Sequence, residues 1–124
     1  PLLHESFLRV NDSYFFGQLE SPNLMWGNNS RRKLGSYDYT TDTIKISTIF
    51  KEADNELLDY VMYHEMLHKK HKFKSKNGRN RFHDPDFKRS EKAFKNSRLL
   101  EKKIRLLVNT KTKKGFFSSF FKGY

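Results

Sequence analysis

The 124-residue sequence predicts an α+β fold in which three main helices pack on a small three-stranded antiparallel sheet. Three observations predict it. Apolar residues recur at helical spacing over residues 3–17, 57–70 and 87–108. Between the first two of these stretches, residues 22–48 alternate β-branched or aromatic side chains with polar ones among Gly, Asn and Asp. Finally, only 35% of the chain is hydrophobic, but twelve Phe, six Tyr and one Trp give large buried surfaces per residue, so an aromatic core is feasible. A chain of this length builds one modest core, not two. Residues 1–110 are expected to form that domain and residues 111–124 a Phe-rich C-terminal tail.

The first helix carries Leu3, Phe7, Val10, Tyr14 and either Phe15 or Phe16 on one face and ends at Gly17. His4 belongs to its surface. Three strands are expected at Leu24-Met25-Trp26, at Leu34 to Tyr39 and at Thr43 to Ser47, with Ile44 and Ile46 facing the core, Lys45 outside and Trp26 as a core anchor. Asp54 or Asn55 caps a second helix that runs to about Lys70. The segment from Lys69 to Arg81 holds seven Lys and Arg and no acid, with a turn at Asn77-Gly78, and is read as a basic loop. Asp84 as N-cap and Pro85 at the first helical position start a third helix. Its leading face is Phe87, Glu91, Phe94, Arg98, Glu101 and Arg105; further along, Leu99, Leu100, Ile104, Leu107 and Val108 form an apolar one, so the helix changes face or breaks near Asn96-Ser97. The tail contains Phe116, Phe117, Phe120, Phe121 and Tyr124, too apolar for an idle end, and is expected to dock.

The second helix contains His64, Glu65 and His68 in the pattern H-E-x-x-H. Residues four apart on a helix lie on one face about 6 Å apart along the axis, so two imidazoles can converge on one metal ion. Leu57, Val61, His64 and His68 share a stripe, which makes the histidines a continuation of the buried face. Two buried imidazoles want a partner, and one Zn²⁺ ion is the simplest. Glu65 is turned about 100° away, outside the ligand set yet close to an open coordination position. That suits a general base acting on a zinc-bound water.

Other function classes are narrowed by composition. With no Cys there is neither a disulfide nor a Cys-based zinc ribbon, leaving histidine and carboxylate as ligands. No segment approaches the length of a membrane span, and the N-terminal residues lack the pattern of a secretory signal; a cytoplasmic protein is expected. Lys and Arg number 25 against 14 Asp and Glu, a net charge of +11. Nucleic acid therefore stays among the partners to consider, through Arg31 to Lys33, Lys69 to Arg81 and Lys111 to Lys114.

A catalytic zinc normally takes three protein ligands and leaves the fourth position to water. His71 shares the face of His64 and His68 but lies about 10 Å along the axis from His64, too far to join; it is expected at the surface. A metzincin-like extension wants Gly at position 71 and His at 74, where this chain has His71 and Lys74. Glu91 would supply a carboxylate from another helix, as ligand or as support behind a ligand. His83 sits just ahead of a capped helix, where the backbone is fixed and the ring can be aimed.

Tyr63-His64-Glu65-Met66-Leu67-His68, a basic loop, and His83-Asp84-Pro85-Asp86-Phe87 fifteen residues beyond His68 together resemble the SprT-like metallopeptidase domain. Upstream, Asn11 to Leu19, Trp26-Gly27, Gly35-Ser36-Tyr37 and Thr43 to Ser47 are similar to that family's aromatic helix and sheet. The resemblance covers roughly residues 5–100 and implies a zincin-like fold, His83 as third zinc ligand and Glu65 as catalytic base. With no Cys ribbon, the chain looks more like the minigluzincins, small peptidases held as zymogens by their C-terminal segments. The expected activity is a zinc-dependent endopeptidase acting on peptide or protein. Its substrate would add to an outer strand made of Thr43, Ile44, Lys45, Ile46 and Ser47, with a tyrosine such as Tyr63 assisting the oxyanion. The tail would fold over the cleft, in its own molecule or in a second copy. The alternative is a SprT-like nucleic-acid-associated protein that acts on DNA-bound proteins.

Overall fold

The computed structural model describes residues 2–71 and 85–109. Its element order is helix α1 (Leu3–Tyr14), strands β1 (Asn23–Trp26), β2 (Gly35–Asp38) and β3 (Thr43–Ile46), then helices α2 (Asn55–His71), α3 (Pro85–Lys92) and α4 (Ser97–Asn109). Helices α1, α3 and α4 pack around α2, whose opposite side meets the sheet.

Helix α1 buries Leu3, Phe7 and Val10 as its 3.6-residue period requires, and of the two Phe that follow it, Phe15 turns in and Phe16 out. The backbone explains the choice. Phe16 and Gly17 both take positive φ, at 56° and 69°, and buried Asn11 bonds both the N–H and the carbonyl of Leu19 at 3.1 and 3.0 Å. The chain is thereby folded back on itself, leaving Phe16 at 88% exposure.

The sheet has the order β1-β3-β2. β2 and β3 form an antiparallel hairpin, but β1 pairs parallel to β3, so the sheet is mixed where the sequence predicted a purely antiparallel one. Alternation along a strand does not distinguish the two pairings. The decisive contacts lie in the β1–β2 connection, where the Ser47 hydroxyl donates to the Ser30 carbonyl at 2.6 Å and accepts from the Ser30 N–H at 3.0 Å. They carry the chain past β3 before β2 begins. The predicted outer strand Thr43 to Ser47 is corrected as well: β3 is the middle strand, with both edges already paired. Ile44 and Ile46 are buried and Lys45 exposed, as predicted, while Trp26 is half-buried with Lys51 over its ring rather than a full core anchor.

The edge strand β2 has a definite polarity of bonding. Ser47 N–H donates to the Leu34 carbonyl at 2.9 Å, and the register pairs Gly35 with Ile46, Ser36 with Lys45 and Tyr37 with Ile44. Because bonded and non-bonded pairs alternate in an antiparallel ladder, Ser36 and Asp38 turn their backbone groups to β3, and Gly35 and Tyr37 turn theirs outward.

The predicted third helix is two helices. Asn96 takes a φ of 62°, the Ser97 hydroxyl donates to the Lys92 carbonyl at 3.2 Å, and the Leu100 N–H bonds the Asn96 carbonyl at 2.9 Å. The break thus falls where the apolar face changes. α4 then buries Leu100, Ile104 and Val108 and leaves Leu99 exposed. In the gap, Phe94 packs on Tyr14, Tyr60 and Tyr63 with ring centroids 4.6, 5.3 and 4.9 Å away, an aromatic knot joining α1, α2 and the α3–α4 junction. Replacing Phe94 with Ala should cost about 3–5 kcal/mol of unfolding free energy in urea, through lost transfer energy and the cavity left behind. A loss below about 1 kcal/mol would show that the knot is not part of the core.

Candidate metal centre

Helix α2 is surrounded on most of its circumference, which is why the helix that carries the histidines is buried through Leu57, Leu58 and Tyr60 to Leu67 without a polar face over that span. His64 is fully buried and His68 half-buried; their rings lie 5.0 Å apart, nearly perpendicular. The Nε2 atoms of both are sealed from solvent. Phe87, the buried residue of α3, closes one side with its ring 5.3 Å from His64 and 4.6 Å from His68. An apolar wall of this kind excludes water and raises the strength of every charge interaction at the site.

Glu91 on α3 reaches His64 from behind: its Oε2 lies 2.5 Å from Nδ1. Burial pulls the His64 imidazole down to about 3, so at neutral pH the ring is neutral. Donating from Nδ1 to the carboxylate, it keeps the Nε2 lone pair on the opposite side. Histidines that bind metals are ordinarily held this way. The donor chemistry therefore fits a metal: two imidazoles a turn apart, one of them neutral and fixed in tautomer. Among the described residues no group of three His, Cys, Asp or Glu is assembled; His83, the predicted third ligand, lies outside them.

Glu65 is completely buried and lies against β2. A Cβ on Gly35 would stand 2.8 Å from its Oε2, 3.1 Å from its Cγ and 3.2 Å from its Cδ, closer than side chains tolerate. Only glycine lets the strand approach the carboxylate. Sequence reasoning passed over Gly35 as a site residue, although a glycine inside a strand is the ordinary signal of a close backbone approach.

Other predicted residues fall elsewhere. Tyr63 donates from its hydroxyl to the Ser90 carbonyl at 2.5 Å, and burial pushes it up to about 12; it ties α2 to α3 from a buried position. His71 is half-buried, its ring 5.7 Å from Phe87, rather than at the surface as predicted. Lys69 leaves the predicted basic surface altogether, being buried and paired with Asp42. Asp84, the rest of the basic loop from 72 to 81, and the tail residues Phe116, Phe117, Phe120, Phe121 and Tyr124 lie outside the described residues.

The depressed His64 has a consequence for stability. Between its ordinary 6.5 and about 3, the unfolded chain binds a proton that the folded chain refuses, so the stabilisation is complete above 6.5 and is lost as pH falls toward 3. The melting temperature of metal-free protein should therefore fall from pH 7 to pH 4.5, and His64→Gln should flatten that slope. An equal slope in the two proteins would contradict a buried neutral His64.

Comparison with known proteins agrees with this architecture. The sequence profile of the SprT-like family matches residues 3–111. Among solved structures, the chain is similar to the metallopeptidase zymogen jannalysin of Methanocaldococcus jannaschii, with a TM-score of 0.60, 25% identity, and coverage of 84% of this chain and 94% of that one. It is also similar in fold to the metallopeptidase zymogen abylysin of Pyrococcus abyssi, with a TM-score of 0.65, 16% identity, and coverage of 85% and 93%. No curated protein matches the chain. A match over nearly the whole length, on the fold and histidine-bearing helix just described, has one meaning: the chain belongs to the SprT-like family.

Proposed function

We propose that the protein is a zinc-dependent endopeptidase, with His64, His68 and His83 as metal ligands, Glu65 as general base, and the C-terminal residues Phe116, Phe117, Phe120, Phe121 and Tyr124 holding it latent. The observation that carries the reading is the position of Glu65. It is a buried carboxylate on the helix that carries the imidazole pair, pressed against Gly35 of the edge strand β2.

Zinc held there would polarise the scissile carbonyl and acidify the attacking water. The chain's own groups do the rest. Glu65 takes the proton from that water and returns it to the leaving amine nitrogen, so the peptide C–N bond breaks with the proton count unchanged. Glu91 acts as the support of His64, fixing its ring and tautomer, rather than as a rival ligand, because its oxygen occupies the nitrogen remote from Nε2. The substrate adds to β2, not β3. The outward backbone groups of Gly35 and Tyr37 would pair with an extended peptide and lay its amide over Glu65.

Latency draws on both structural neighbours, which are metallopeptidase zymogens. Four aromatics of one kind and a terminal Tyr in residues 115–124 could occupy such a groove in place of a substrate.

One peptide-cleavage assay tests both parts. It compares the full chain with a version ending at Lys114, each with and without Glu65→Gln. Truncation should raise activity, and Glu65→Gln should lower kcat/KM by at least about 100-fold with zinc still bound. Cleavage surviving in the Gln variant would refute the role of Glu65, and equal activity at both lengths would refute latency.

A further inference from the structure

The β2–β3 turn is fastened to the histidine-bearing helix through a buried cation, and we infer that Lys69 is a positioning residue which, through Asp42, sets strand β2 at its height over Glu65 and so fixes the peptide groove. The inference rests on the peptidase reading above.

Lys69 is the residue after His68, on a helix end that continues into the basic stretch, yet its side chain is only 7% exposed. Lys is seldom buried unless paired. Its Nζ donates to both carboxylate oxygens of Asp42, at 2.8 and 3.0 Å. Asp42 is a junction. Its Oδ1 also accepts from the Tyr37 hydroxyl at 2.7 Å, and its carbonyl accepts from the Asn23 N–H at 2.8 Å. Its backbone sits at a φ of 50°, a left-handed conformation that Asp tolerates better than most residues. One carboxylate thus gathers α2, β2 and, through its own backbone, β1.

The spacing gives this junction its meaning. Glu65 and Lys69 are four residues apart on α2, about 6 Å along the axis. Gly35 and Tyr37 are two apart on β2, about 6.7 Å along the strand. The steps match, so the strand rests on the helix at two points: Gly35 directly against the Glu65 carboxylate, and Tyr37 through Asp42 on Lys69. Gly35 meets the Glu65 carboxylate with no side chain of its own, and the Tyr37 hydroxyl adds a side-chain tie through Asp42 to Lys69. The outward backbone groups of Gly35 and Tyr37 lie between these supports, and preorganising them lowers the ordering cost of an incoming peptide.

The test uses zinc-loaded protein, with hydrogen exchange read on the full chain and kinetics on the version ending at Lys114 introduced above, and the variants Lys69→Met, Lys69→Arg and Asp42→Asn. In Lys69→Met, hydrogen exchange at the Ser36 and Asp38 amides should quicken about tenfold. KM for an unstructured peptide should rise about tenfold with kcat within about twofold, and zinc content should equal the parent's. Lys69→Arg, which can still pair with the carboxylate, should restore most of both. Unmoved exchange and KM would overturn the inference, as would joint loss of kcat and zinc, the sign of general unfolding. If Lys69→Met does not fold, Asp42→Asn, which keeps an acceptor for Tyr37, supplies the same readings. Should the chain ending at Lys114 cleave no peptide, the peptidase reading fails by itself and exchange alone decides: quickening confined to residues 35–38 upholds the fastening, and none overturns it.

Discussion

Two imidazoles held a turn apart on a buried helix are the constraint that the rest of the structure answers. A helix can bring the rings together by periodicity alone, but it cannot by itself keep them neutral, aimed and dry. Each of those conditions comes from a different neighbour. Burial under the surrounding helices keeps His64 uncharged. Glu91 fixes its tautomer from α3, and Phe87 closes the side toward the same helix. Helix α3 therefore shapes the surroundings of the two histidines as well as packing on α2. Its attachment through Tyr63 to the Ser90 carbonyl and through the Phe94 knot bears directly on the histidines.

The sheet answers a second need, which is to bring a backbone edge close to a buried carboxylate. β2 achieves this with a glycine over Glu65 and an ion pair one helical turn further on. The same strand thus limits where Glu65 can move and presents an edge beside it. Belonging to the SprT-like family, with metallopeptidase zymogens among its structural neighbours, the chain carries these features in a single small unit.

Much of this was legible in the sequence because local rules governed it. The extent of α2, the inward turn of Ile44 and Ile46, and the break near Asn96-Ser97 follow from periodicity and capping, which are properties of neighbouring residues. The sheet order was not, since strand alternation is the same for parallel and antiparallel partners and the contact between Ser30 and Ser47 that routes the connection spans 17 positions. Lys69 was misread for a related reason. In a run of lysines nothing local marks the one whose partner, Asp42, is 27 residues away. Tyr63 likewise looked available for chemistry until the Ser90 carbonyl was found to hold it. The H-E-x-x-H pattern pointed to His64, Glu65 and His68, but the packing of Glu91, Phe87 and Gly35 against them came from the fold.

The most direct test of the account is X-ray absorption at the zinc edge on zinc-loaded protein. It should show imidazole scattering at about 2.0 Å together with a light-atom shell from a non-protein oxygen, and both should vanish when His64 and His68 are replaced by Ala. Failure to bind zinc, or a shell unchanged in that double variant, would contradict the claim that this helix carries the metal centre.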